Sequence, residues 1–540
     1  MLVRKKSWLA LVLVGLGAIL LGTLPMTSQA AVLHRNGATT ADWASWQGEL
    51  SGDRFAPGTP VTPQNVSHLS ESWAFTLPRI TGTNPSSQPA VVGNTLYVGS
   101  NDAKFFALDA TTGATVWSFD LTSVVGPVGS TPDPVRDGAA VSNGVVYFGD
   151  TRGYLYALNA RTGALRWAIR VDPANPDVQE TGSPTVYNGL VYIGTSNDEN
   201  NFQETNLNYP CCTARGQVVA VSAATGAVAW RHYTVPAAQA TGTWPSGATQ
   251  YGPSGVSVWT TPVINPAAGL LYVGTGNNYT GSAGQADSVL ALSLRTGKTA
   301  WSYQAQPDTY TTTCDDPALA PTYCPAQAAG NAHDWDMSSG NLYQAGGRTI
   351  LGMGDKAGAY RAFDAVTGKL LWTQHLVANP STEGGDGGIV WGGSTDGHRI
   401  YVATWFANPG VMYALNPATG AIEWQTPTPA DGCTTGGAAG NPSCQLAFTP
   451  AVTSVPGLVF EGNADGKLYA FSSSTGQIAW QYDTVREFQG VNGVPGFGES
   501  LSGIGGVVVA NGMLYVESGY YPLFASTEGT VLLAFKLSGS

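Results

Sequence analysis

Gly153-Tyr154-Leu155-Tyr156-Ala157-Leu158-Asn159-Ala160-Arg161-Thr162-Gly163-Ala164-Leu165-Arg166-Trp167 reads as an alternating strand, a tight turn and the start of a second strand. Alternation with a period of two puts successive side chains on opposite faces of a sheet. Asn, Thr and Gly are the residues a tight reversal needs. Just before it, Asn143-Gly144 turns into Val145-Val146-Tyr147-Phe148-Gly149, a further strand. The pattern Thr-Gly, three residues, Trp recurs at Thr112-Gly113…Trp117, Thr162-Gly163…Trp167, Thr225-Gly226…Trp230 and Thr296-Gly297…Trp301. It continues at Thr367-Gly368…Trp372, Thr419-Gly420…Trp424 and Thr475-Gly476…Trp480. Each unit therefore reads as four antiparallel strands, the last carrying Trp. Units of this kind, about 45 to 70 residues long, predict an all-β propeller.

The chain ends supply one more unit. Glu71-Ser72-Trp73-Ala74-Phe75 is a Trp strand with no Thr-Gly before it, and Val531–Leu537 is an alternating strand with no Trp after it. Joined, they complete an eighth blade and close the ring, which removes a free sheet edge. The alternative is an open solenoid with ragged ends. Tryptophans at matching repeat positions read as wedges between blades. Trp259 stands off the repeat and is the more interesting residue.

Composition agrees: 69 of 540 residues are Gly and only 11% are charged. The net charge of −12 argues against nucleic acid, whose phosphates attract Lys and Arg. At the start, Arg4, Lys5 and Lys6 precede the apolar run Trp8–Leu24, and Ser28-Gln29-Ala30 offers small residues at a cleavage site. This is the layout of a secretory signal peptide over residues 1–30, the alternative being an uncleaved anchor. Residues 31–540 then form one exported domain, secreted or periplasmic, with no stable membrane insertion. Six cysteines form three close couples, Cys211/Cys212, Cys314/Cys324 and Cys433/Cys444, which in an exported chain read as disulfides. No CxxCH occurs, so the expected cofactors include no c-type haem.

Off-pattern polar residues gather in the third to fifth units. The third carries Thr181 and Gly194-Thr195-Ser196-Asn197-Asp198-Glu199, then Cys211-Cys212. The fourth carries Ser257-Val258-Trp259 and Gly274-Thr275-Gly276-Asn277, and the fifth His333-Asp334-Trp335-Asp336 and Asp355-Lys356-Ala357-Gly358. Consecutive blades bring such loops together at one end of the channel. Glu, Asn and Asp oxygens suit a hard cation such as Ca²⁺, and a lysine beside them suits an anionic ligand.

In these segments, and across the whole mature chain, the sequence resembles the quinoprotein alcohol dehydrogenases, most closely their polyvinyl alcohol branch. The resemblance implies pyrroloquinoline quinone (PQQ) and Ca²⁺ as cofactors. It places Glu199, Asn277 and Asp336 on the metal and Trp259 as the floor beneath the quinone. Asp336 becomes the catalytic base and Lys356 the cation at the quinone oxygens. Arg136, Thr181, Ser196 and Ser257 contact the quinone. The sequence departs from the family pattern in three places. Ser130 and Thr131 stand where a vicinal cysteine pair is usual, while Cys211-Cys212 lies a blade later. That pair is either two thiols or a small ring capping the quinone. Ser86 replaces an early pocket Glu, and a late pocket Trp falls near Phe448. The implied reaction is oxidation of a secondary alcohol, small or polymeric, with electrons passing to a separate acceptor such as a cytochrome c. Two rivals are a non-catalytic scaffold like the outer-membrane assembly lipoprotein and a PQQ-dependent sugar dehydrogenase.

Overall fold

The computed structural model describes residues 42–539 apart from 79–86, 127–134, 176, 282–283, 307–308, 315, 325–333, 378–386, 406–408, 502 and 520–528. Residues 1–30, Ser86, Ser130, Thr131 and His333 lie outside the described residues.

Eight antiparallel sheets form the blades. The first is Ala90–Val92, Thr95–Gly99, Lys104–Asp109 and Thr115–Asp120, hydrogen-bonded in chain order. The next six repeat that order. The eighth is Val508–Ala510, Met513–Ser518, Val531–Leu537 and, from the other end of the chain, Leu69–Thr76. Trp73 there pairs with Ala534. The ring therefore closes as the deficits at the two termini predict.

One register rule explains the repeat. Across from each blade tryptophan the neighbouring strand carries alanine: Trp117 with Ala107, Trp167 with Ala157, Trp230 with Ala220 and Trp301 with Ala291. Trp372, Trp424 and Trp480 face Ala362, Ala414 and Ala470 in the same way. The small residue leaves room for the ring to lean toward the next blade. There the indole N–H donates to a backbone carbonyl: Trp117 to Ala160, Trp167 to Ala223, Trp230 to Leu294 and Trp301 to Ala365. At each of these four carbonyls a tyrosine of the same blade as the tryptophan donates as well, namely Tyr97, Tyr147, Tyr192 and Tyr272. The next blade's Thr-Gly turn lies on the ring. Gly163 has φ 70°, and a Cβ there would stand 2.7 Å from Trp117. The repeat thus encodes the blade-to-blade joint.

The first strand of each blade is mostly buried, whereas the Trp strand is exposed on its outer face, as Leu165–Arg170 shows. Residues 43–56 cross these first strands as a belt. Trp43 exchanges hydrogen bonds with Val91; Ala44, Leu50, Ser51, Asp53 and Arg54 each offer a carbonyl to Val141, Ile264, Leu342, Thr395 and Ser454. Six blades are tied by one segment that the repeat pattern did not anticipate. Two further additions are the hairpins Gln239–Thr243/Thr249–Gly252 and Glu487–Gln489/Pro495–Phe497. No helix among the described residues is long and apolar enough to cross a membrane.

Candidate active site

The polar interruptions converge as their spacing implies. Arg136, Thr181, Ser257, Trp259, Asp336, Trp391 and Thr449 each lie a few residues ahead of a first strand, so they ring one end of the channel. The third blade's second strand, Leu190–Asn197, outruns the blade and pairs with Val178–Gln179, which carries Ser196 and Asn197 to the same place. These residues, with Asn277 and Lys356, line a cavity of about 330 Å³.

Asp336 lines it. Its Oδ1 accepts the Asn277 N–H at 2.8 Å; its Oδ2 accepts the Trp259 indole N–H at 2.8 Å and Lys356 Nζ at 3.3 Å. A carboxylate has about four acceptor positions, so one remains for a hydroxyl in the cavity. Burial, and then the neighbouring Asp334, push Asp336 up to about 6, against the pull of Lys356 and Trp259. Asp334 organises the neighbours. It accepts Lys356 Nζ at 2.6 Å on one oxygen and the Asn277 side-chain amide at 3.2 Å on the other. The ammonium of Lys356 lies 5.1 Å from the Trp259 ring centre, and Trp391 meets that ring edge to face at 4.9 Å.

Thr181 and Ser196 share a hydrogen bond of 2.6 Å at one wall. Ser257 bonds Asn197 and the Tyr279 hydroxyl, each at 3.3 Å. Arg136 adds a second cation to the lining, its Nε buried and without a protein partner. The Asn277 Oδ1 is likewise buried with no partner. A buried acceptor without a donor is costly, and a cation or a ligand N–H would satisfy it. A flat, multiply anionic quinone fits this set: an indole face, two cations, and hydroxyls at the wall.

Two expectations meet a different arrangement. Glu199 does not line the cavity. Its carboxylate turns inward and accepts Thr213 N–H, Ala214 N–H, the Thr213 hydroxyl and the Tyr209 hydroxyl at 2.6–3.2 Å. A buried carboxylate needs such donors, and the chain after the cysteine pair provides them. Cys211 and Cys212 are disulfide-bonded, as are Cys314–Cys324 and Cys433–Cys444. The vicinal pair is fully buried behind Tyr279, and Tyr279 is what faces the cavity. Phe448 packs inward on Tyr469 and Phe471, leaving Thr449 at the lining.

Sequence reading gave no role to Asp198 and Asp334, which stand in the polar segments it singled out, and missed Tyr279, Tyr310, Trp391 and Trp405; all six line the cavity. For the two tryptophans a signal existed: like Trp259, they stand off the repeat.

Residues 43–331 match the model of the glucose/ethanol/alcohol dehydrogenase β-propeller domain, PQQ, and residues 355–510 match that of outer membrane protein assembly factor BamB. Fold and cavity thus define a quinoprotein-type propeller. A polyvinylalcohol dehydrogenase of a Pseudomonas species is 32% identical over 93% of this chain and 78% of its own length. Another, from Sphingopyxis sp. strain 113P3, is 30% identical over 92% of this chain and 76% of its own. Among solved structures, quinohemoprotein alcohol dehydrogenase from Comamonas testosteroni superposes with a TM-score of 0.67 at 20% identity, covering 94% of this chain and 82% of that one, a likeness of fold. The chain belongs to the PQQ-dependent alcohol dehydrogenase family.

Proposed function

We propose that this chain is an exported dehydrogenase that oxidises a secondary alcohol, small or polymeric, and passes the electrons to a separate acceptor such as a cytochrome c. The observation that carries the reading is the convergence of Asp336, Lys356 and Trp259 in one cavity. When bound, PQQ supplies the two-electron acceptor and Ca²⁺ a Lewis acid. Trp259 presents the flat surface, and Lys356 and Arg136 the positive charge, that hold a tricarboxylate quinone. Thr181, Ser196 and Ser257 orient it by hydrogen bonds. Asp336 uses its remaining acceptor position to take the hydroxyl proton of the substrate, while the carbinol carbon gives up hydride. Asn277 Oδ1, buried and without a donor, would be the oxygen offered to the cation. Glu199 would join it only by releasing the amides of Thr213 and Ala214.

The secondary, polymeric alcohol is supported by the two long relatives named for polyvinyl alcohol. Export is supported by the basic and apolar leader. The BamB match covers residues 355–510, which include Lys356 but neither Trp259 nor Asp336.

Reconstitution tests the proposal. The purified chain is loaded with PQQ and Ca²⁺, and dye reduction is followed with secondary alcohols and, separately, with aldose sugars. Turnover with the alcohols is expected, and Asp336→Asn should lower kcat by about 10²-fold or more while quinone still binds. Failure to bind quinone would favour the scaffold reading. Turnover restricted to sugars would favour the sugar dehydrogenase.

A further inference from the structure

The belt does more than tie blades. Trp46, near its start, is 2% exposed and clusters with Ala451 and Ile504, and the cavity residue Trp391 packs against that cluster. Its indole N–H donates to the Ile504 carbonyl at 3.3 Å. Its backbone carbonyl accepts Gln88 Nε2 at 2.9 Å and the Arg54 guanidinium. That guanidinium also lies 4.7 Å from the Trp46 ring centre, donates to the Val452 carbonyl and Thr453 hydroxyl at 3.0 Å each, and is buried. The contacts therefore link five side chains: Arg54 lies on Trp46, the Trp46 cluster packs against Trp391, Trp391 meets Trp259, and Lys356 lies on Trp259. The cluster that Trp46 forms with Ala451 and Ile504 thus supports the tryptophan that meets the cavity floor edge to face.

We infer that Trp46, clamped by Arg54, is a positioning residue that sets the tilt of Trp259 through Trp391 and so tunes the face offered to the cofactor. The inference rests on the proposed function only in naming that cofactor. The mechanical reason is close packing. An indole held edge to face by a second indole cannot rotate unless the second yields, and Trp391 packs against a cluster whose Trp46 is fixed through ring, N–H and carbonyl at once. Sites held this way lose affinity when their support is loosened, even though the support touches no ligand.

Trp167 provides the control. It is 9% exposed, packs at the joint between the second and third blades, donates its indole N–H to the Ala223 carbonyl, and does not line the cavity. Two measurements are made on Trp46→Leu, Trp46→Phe and Trp167→Leu. The first uses 5-fluorotryptophan and ¹⁹F NMR of the cofactor-free chain, with Trp259 and Trp391 assigned by single Trp→Phe changes. Trp46→Leu should move both resonances, Trp46→Phe much less, and Trp167→Leu neither. The second is the PQQ dissociation constant by fluorescence titration. Trp46→Leu should raise it about tenfold, the usual scale for a supporting residue, with Trp46→Phe recovering most of the loss. Trp167→Leu should leave it unchanged at a comparable drop in Tm. Unmoved Trp259 and Trp391 resonances, or equal affinity losses in Trp46→Leu and Trp167→Leu, would overturn the inference. A wild-type chain that does not bind PQQ would refute the proposed function, and the NMR comparison would still decide whether Trp46 governs the floor.

Discussion

Glu461 is 1% exposed, and neither of its carboxylate oxygens has a hydrogen-bond partner. Burial raises it well above the ordinary glutamic acid range, and Arg54 only partly opposes the rise. The sign follows from linkage. A carboxyl whose folded value lies above its unfolded one favours the native state while protonated, and that advantage drains away as the pH rises through the folded value. Alkaline conditions should therefore destabilise the fold, and Glu461→Gln should flatten the decline. Urea unfolding at a series of values from about pH 5 to about pH 9 checks this; parallel curves for the two proteins would contradict it. Legibility at this scale was uneven. Lys356, Asp336, Asn277 and Trp259 were readable because each interrupts a repeat. The inward turn of Glu199 was not, because it depends on donors from Thr213 and Ala214, brought to it by the loop through the cysteine pair.

The strand-turn-strand unit carries its own test. Gly144 and Gly163 adopt nearly the same backbone, φ 72° and 70°, but a Cβ at Gly144 meets nothing within 4 Å, whereas one at Gly163 meets the Trp117 ring at 2.7 Å. Gly144→Ala should cost only the left-handed conformation, about 1 kcal/mol, and Gly163→Ala about 1–3 kcal/mol more, because the joint must also open. Chemical denaturation of both variants measures the difference. Equal losses would mean that the Thr-Gly turn is conserved in the repeat for its backbone alone. The Trp–Ala pairing across every blade belongs to this scale as well, and both residues are visible in the sequence once the strands are aligned.

Closure of the ring is a property of the whole molecule. Val531–Leu537 pairs on one side with Met513–Ser518 and on the other with Leu69–Thr76. Removing residues 531–540 would expose two long strand edges at once, the arrangement that invites aggregation. That truncation should abolish soluble protein, whereas removing only residues 539–540 should leave soluble protein with nearly unchanged Tm, since Ser538 and its hydrogen bonds to His68 are kept. Gel filtration and thermal melts distinguish the two.

By itself the sequence determined the blade, the blade count, the closing pair of termini and the blades that hold the site. All of these are local periodicities or breaks in them, and a repeat whose units contact only their neighbours propagates local rules into a global shape. Tertiary structure alone decided that residues 43–56 cross six blades, that Trp391 and Trp405 reach the cavity, and that Tyr279 stands in front of the vicinal disulfide. Each of these is a contact between segments remote in the chain, in a channel that exists only once the ring has closed. No periodicity records which side chain will meet which across that space.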